Sequence, residues 1–323
     1  MSKIELGASL FCFTAEYARG ILDFEGCVRT AAAFGATGYE IVGAQMVPSY
    51  PAVSDEFAAE VAACKDKYGI GPVSYGANMD RGLVKNHHLC VDEMVERSII
   101  DIKSAAKLGC SFMRQQFLIS PEGFKRLAPY AERYGVKVGI EMHNPDTPSS
   151  ERIQAFIQAI EESGSSYLGL IPDFGSFATR PNKPHWDTAL ANGASEAHLR
   201  LAADCRYEGQ TFAQATETLK QAGAADAVFV ALQGMYGYVT FYKEPDLEGL
   251  KNIVPYCLYC HGKFHYLDEN NKEVSIPYPD ILKVLKAADF KGYIMSEFEG
   301  HDSGQALDMT QRHIQMMHLM VQD

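Results

Sequence analysis

The chain has 323 residues, 47% of them hydrophobic and 22% charged, which is the make-up of a packed globular protein and excludes disordered, collagenous and low-complexity classes. Against 41 Asp and Glu stand 29 Lys and Arg, a net charge of −12 with a pI near 5.3, the wrong sign for a general binder of nucleic acid or of anionic membranes. No run reaches the ~20 apolar residues of a membrane span, the start Met1-Ser2-Lys3-Ile4-Glu5 is not that of a signal peptide, and the eight scattered cysteines read as reduced thiols of a cytoplasmic protein.

In chain order, short β-rich runs alternate with amphipathic stretches. Strands are predicted at 4–12, 38–43, 70–77, 111–118, 136–143, 167–174, 256–265 and 292–298. Helices are predicted between them at 55–67, 91–108, 121–133, 150–162 and 279–289, with start signals such as Ser54-Asp55 and Ser120-Pro121-Glu122. Eight strands in βα alternation predict parallel pairing, hence an α/β fold: a (β/α)8 TIM barrel, with a doubly wound open sheet as the competitor. Most strand starts lie 25–41 residues apart, near the ~30 of one βαβ unit. The exception is the sixth to the seventh, where 176–255 reads as helix and loop. No flexible linker bounds this stretch, so the expectation is a single barrel over 1–323 with a largely helical insertion, a lid on the face where loops set substrate choice. The tail 309–322 is expected to seal the barrel with its apolar face.

Four late strands end in side chains able to ligate a metal: Glu141, Asp173, His261 and Glu297. Residues two apart on a strand share a face, which puts His143 beside Glu141 and Glu299 beside Glu297. Carboxylates closing apolar strands must be paired or metal-bound. Three carboxylates and one imidazole suit Mn²⁺ or Mg²⁺, with Co²⁺ or Zn²⁺ also compatible, and such an ion polarises a sugar carbonyl or hydroxyl. His143 is placed to act as a general base, or else to orient a ligand. On the seventh strand Lys263 and His265 share parity with His261. His265 is the alternative ligand, and Lys263 either stabilises an oxyanion or pairs with a carboxylate. Glu299 contacts substrate or solvent, and Glu40 binds sugar hydroxyls or sits in a structural ion pair. Arg180 clamps an anionic group or serves only its loop. Cys257 and Cys260 match C-x-x-C without a second pair and read as core thiols, while His87-His88 reads as exposed. No P-loop, G-x-G-x-x-G or G-x-S-x-G run stands between a strand and a helix.

These strand ends resemble the metal quartet of the xylose-isomerase-like barrel superfamily, which includes sugar epimerases, inosose dehydratases and enzymes of the endonuclease IV type. Endonuclease IV enzymes carry extra histidines, which the early strands here do not offer. The runs Gly139-Ile140-Glu141-Met142-His143-Asn144, Pro172-Asp173-Phe174-Gly175, Tyr259-Cys260-His261-Gly262-Lys263-Phe264 and Ser296-Glu297-Phe298-Glu299-Gly300 are most similar to the large catalytic subunit of bacterial C-glycoside deglycosidases. Phe264 stands where many superfamily members have Asp. The resemblance implies a divalent metal, often Mn²⁺, a small β-sandwich partner subunit in a hetero-oligomer, and a small-molecule substrate in which a 3-oxo-sugar is joined through carbon to a flavonoid-type aromatic. It further implies His143 as the base that removes the sugar C2 proton. The runner-up is a ketose 3-epimerase or sugar isomerase, in which Glu141 and Glu297 exchange protons while binding the metal. A third class, a non-enzymatic sugar-binding barrel, is opposed by the intact quartet.

Overall fold

The computed structural model describes residues 4–79, 84–115, 118–300 and 304–322. Eight strands form: β1 Ile4–Ser9, β2 Gly38–Val42, β3 Gly71–Ala77, β4 Phe112–Gln115, β5 Lys137–Met142, β6 Leu168–Pro172, β7 Cys260–Phe264 and β8 Gly292–Phe298. All pair in parallel in the order β6-β5-β4-β3-β2-β1-β8-β7. The two ends of that order meet. Leu170 bridges Cys257 and Asp173 bridges His261, and Leu258 N donates to Leu170 O at 2.9 Å. The sheet is therefore a nearly closed (β/α)8 barrel rather than an open doubly wound sheet. At this seam the approach is close enough to demand glycine, because a Cβ on Gly169 would lie 2.6 Å from the Tyr256 carbonyl oxygen.

Several strands are shorter than predicted. The 4–12 run turns at Leu10 into a 3-10 helix, Leu10–Phe13, capped by Ser9 Oγ. Likewise Val254–Tyr256 is a 3-10 turn, so β7 begins only at Cys260 and the half-buried Cys257 precedes the strand. Of the 111–118 run, Gln116 and Phe117 lie outside the described residues. The helix expected at 121–133 is two, Pro121–Lys125 and Ala128–Tyr134. Pro129 has no N–H for the Lys125 carbonyl and its ring clashes there, which breaks the helix. The others follow their predicted spans closely: Asp55–Tyr68, Val91–Leu108, Glu151–Ser163 and Tyr278–Ala287.

Between β6 and β7 lie a 3-10 turn, Phe174–Phe177, and the helices Lys183–Ala191, Glu196–Tyr207, Phe212–Gln221, Asp226–Met235 and Leu247–Ile253. The C-terminal helix Ala306–Gln322 packs on β8 and β1, burying Met309, Ile314, Met316 and Met317. No helix among the described residues is long and apolar enough to cross a membrane, and all eight cysteines are free.

Candidate active site

Parallel strands end together, so side chains at the same height on neighbouring strands converge on the barrel axis. β5 delivers Glu141, the turn after β6 delivers Asp173, β7 delivers His261 and β8 delivers Glu297. One donor atom of each lies within 4.8 Å of every other, and all four are buried. His261 Nδ1 faces Glu141 Oε1 at 2.9 Å and Glu297 Oε2 at 3.2 Å. Asp173 Oδ1 accepts from Gly175 N at 2.7 Å and caps the turn Phe174–Phe177, which leaves Oδ2 facing the cluster, 2.6 Å from Lys263 Nζ.

Four carboxylates, counting Glu40, gather here around three cationic side chains. Arg114 Nη1 donates to Glu141 Oε2 at 2.8 Å. Burial pushes the Glu141 carboxyl up, but Arg114 and His261 outweigh it and hold it well below its usual range. Burial disfavours the His261 cation, yet Glu297 and Glu40 raise it well above the ordinary histidine value. Asp173 goes the other way. Its burial, with Glu297 and Glu141 nearby, prevails over Lys263 and His143 and raises it. Glu297 Oε2 is buried without a hydrogen-bond donor, although His261 and Lys263 lie 3.2 and 3.6 Å away. Crowded buried carboxylate oxygens beside an imidazole nitrogen are what a divalent cation relieves, so the donor set fits such an ion.

The other predicted residues divide into those at the cluster and those elsewhere. His143 lies beside it, with Nε2 3.8 Å from Asp173 Oδ2. Its Nδ1 is 2.9 Å from the Asn144 carbonyl, which only accepts, so Nδ1 carries the hydrogen and Nε2 accepts from Lys263 Nζ at 2.7 Å. Lys263 also meets Glu299 Oε1 at 3.0 Å, and its ammonium holds Glu299 at about 2 against the burial that would raise it. His265 is buried beyond Lys263 and outside the quartet, so the register of β7 presents His261 rather than His265. Burial, with Lys263 and His185 near, lowers it to about 4. Glu40 is not at the strand end but inside the barrel, fully buried behind His261. Arg180 is not brought to the cluster: it is exposed, lining a surface cavity of about 650 Å³ together with Asp268 and Lys272. His87 pairs with Glu93 at 2.8 Å on the surface.

Sequence reasoning passed over Arg114, Tyr259 and Asn144. The signal for Arg114 was present, a cation inside the apolar run Ser111-Phe112-Met113-Arg114. Asn144 Nδ2 donates to the carbonyls of Gly175 and Thr240 at 2.9 and 3.2 Å, contacts too distant in sequence to be read from spacing.

Residues 28–319 match the family described as xylose isomerase-like TIM barrel. The 3'-dehydrocarminate deglycosidase alpha subunit of a Microbacterium species is 30% identical over 319 residues, covering 91% of this chain and 88% of that one. The C-glycoside deglycosidase alpha subunit of Microbacterium trichothecenolyticum is 31% identical over 308 residues, covering 91% and 83%. Among solved structures, a sugar phosphate isomerase/epimerase from Parabacteroides distasonis ATCC 8503 superposes with a TM-score of 0.58 at 14% identity, covering 99% of this chain and 95% of that one, a likeness of fold. With its nearly closed parallel barrel and these relatives, the chain belongs to the xylose isomerase-like TIM barrel family, alongside the C-glycoside deglycosidase alpha subunits.

Proposed function

We propose that the protein is the catalytic subunit of a divalent-metal-dependent carbon–carbon lyase. In this reading it cleaves the bond between a 3-oxo-sugar and an aromatic, flavonoid-type aglycone. The observation that carries the reading is the convergence of Glu141, Asp173, His261 and Glu297 beside an imidazole whose Nε2 is its unprotonated nitrogen, in a chain whose relatives are deglycosidase alpha subunits.

A divalent ion held by the quartet, Mn²⁺ by preference, supplies a Lewis acid that favours negative charge on a substrate oxygen. The protein's own side chains do the rest. His143 Nε2 takes the proton from sugar C2, made acidic by the neighbouring ketone, once Lys263 releases it. The electron pair forms the C1–C2 double bond as the C1–aryl bond breaks, and the aryl carbon takes up a proton. The products are an unsaturated 3-oxo-sugar and the free aglycone, with no net redox change. Lys263, held by Asp173 and Glu299, keeps a positive charge where oxyanion character develops.

The insertion 176–255 is the part we assign to the aglycone side. Its Thr240 carbonyl accepts from Asn144, and its Tyr242 hydroxyl donates to the Pro145 carbonyl at 2.6 Å, so it braces the loop that carries His143. Its His185 and the exposed Tyr238 form an edge-on ring pair, centroids 5.7 Å apart. Relatives called alpha subunits imply a partner, and we assign that role to a small β-sandwich subunit.

The test is incubation with a 3-oxo C-glucoside, with and without Mn²⁺ and the partner, following aglycone release by chromatography. Release should stop in chelator and fall about 10²–10⁴-fold in His143→Ala. Full release in chelator would sink the metal reading. An epimerised ketose in place of free aglycone would establish the epimerase reading, with Glu141 and Glu297 exchanging protons.

A further inference from the structure

Beneath the quartet the barrel holds a carboxylate that neither packing nor the proposed chemistry uses. Glu40, on β2, is fully buried. Its Oε1 accepts from Ser9 Oγ at 3.1 Å. Its Oε2 accepts from the Tyr259 hydroxyl at 2.5 Å, and that hydroxyl, its hydrogen thus engaged, accepts from Ser74 Oγ at 2.8 Å. The same Oε2 lies 3.2 Å from His261 Nε2, and Arg114 Nε stands 4.0 Å from Oε1.

His261 is thereby held from both sides. Nδ1 faces Glu141 and Glu297 at 2.9 and 3.2 Å, and Nε2 faces Glu40. A ligating imidazole must offer a lone pair at one nitrogen and keep its hydrogen on the other, and the group that accepts from that N–H sets which is which. A carboxylate held by Tyr259 and Ser9 can only accept. Resting on the metal reading above, we propose that Glu40 is a positioning residue: it keeps the His261 hydrogen on Nε2, so that Nδ1 is the nitrogen given to a metal held with Glu141, Asp173 and Glu297. The chain Ser74–Tyr259–Glu40–His261 crosses the barrel from β3 through Tyr259, the residue before β7, to β2 and on to β7, which ties the ring plane to the barrel wall. Leucine at position 40 would fill the space but would leave Nε2–H without an acceptor in the barrel floor.

The test uses the full chain, stripped with chelator, as wild type, Glu40→Gln, Glu40→Leu and Tyr259→Phe. Mn²⁺ affinity is measured by calorimetry, and the His261 tautomer is read in the Zn²⁺-loaded proteins by long-range ¹H–¹⁵N correlation NMR. The expected result is an Nε2–H tautomer in the wild type and an affinity about 10–100-fold lower in Glu40→Leu. Glu40→Gln, which keeps an acceptor but loses the charge, should fall between the two. If Glu40→Leu does not fold, Glu40→Gln and the smaller deletion in Tyr259→Phe carry the comparison, both expected to lose affinity. Unchanged affinity in the folded variants, or a wild-type His261 protonated at Nδ1, overturns the role of Glu40 and leaves the metal reading standing. A wild type that binds neither Mn²⁺ nor Zn²⁺ overturns both.

Discussion

Arg114 and Glu141 are both buried, and their contact at 2.8 Å is the closest that guanidinium makes to any carboxylate of the site. Removing one partner of such a pair strands the other in a low-dielectric interior, which costs far more than an exposed salt bridge is worth. Arg114→Leu should therefore lose about 3–5 kcal/mol in urea unfolding of the metal-free protein; a loss of a few tenths would mean that His261 alone neutralises Glu141. The residue also marks a limit of sequence reading. A cation in an apolar strand announces a buried partner, but its identity depends on β4 lying beside β5 with Arg114 opposite Gly139. By contrast Glu141, Asp173 and Glu297 were legible because each stands at or just past the end of its strand, and these ends of a parallel barrel converge. His261, predicted at a strand end, is instead the second residue of β7 and reaches the same height because it bridges Asp173.

At the scale of elements, the C-terminal helix does more than cover apolar surface. His313, fully buried on it, stacks on Phe264 with ring centroids 3.9 Å apart and planes 1° from parallel. Tyr278 donates to the Lys263 carbonyl at 2.7 Å, so it accepts from His313 Nε2–H at 2.8 Å, while Nδ1 accepts from Ser296 Oγ at 2.9 Å. The helix thus braces the β7 and β8 strands that carry half of the quartet. Burial lowers His313 from 6.5 to about 3. Between those values the unfolded chain binds the proton and the folded one does not, so the contribution is complete above 6.5 and is lost as pH falls toward 3. The stability gap between wild type and His313→Gln should then shrink by about 2–3 kcal/mol from pH 7 to pH 4.5, read as urea midpoints at each pH. A constant gap would show that the folded protein protonates His313. Spacing revealed the amphipathic face of this helix, whereas the split at Pro129 and the 3-10 ends of β1 and the β7 approach came from local backbone chemistry that periodicity smooths over.

For the whole molecule, the net charge of −12 includes the three carboxylates of the quartet, packed beside Arg114, His261 and Lys263. A ligand that binds only the folded state stabilises it by mass action. Mn²⁺ at 100 times its dissociation constant should add about 2.7 kcal/mol, seen as a higher Tm in scanning calorimetry. Asp173→Asn should abolish most of that increment at the same Mn²⁺ concentration. An increment equal in both proteins would place the ion elsewhere.

The amino-acid sequence by itself determined the βα alternation, the count of eight strands, the place of the extra chain between the sixth and the seventh, and the carboxylates and histidine that the late strands carry. These follow from local rules: side-chain alternation along strands, helix-start residues, and the cost of burying a lone carboxylate. Only the tertiary structure decided that β6 meets β7, that His261 rather than His265 joins the quartet, that His143 accepts from Lys263, and that Glu40 lies behind the imidazole instead of facing the mouth. Each of these depends on the register between strands far apart in sequence. A shift of one residue there turns every side chain to the other face of the sheet.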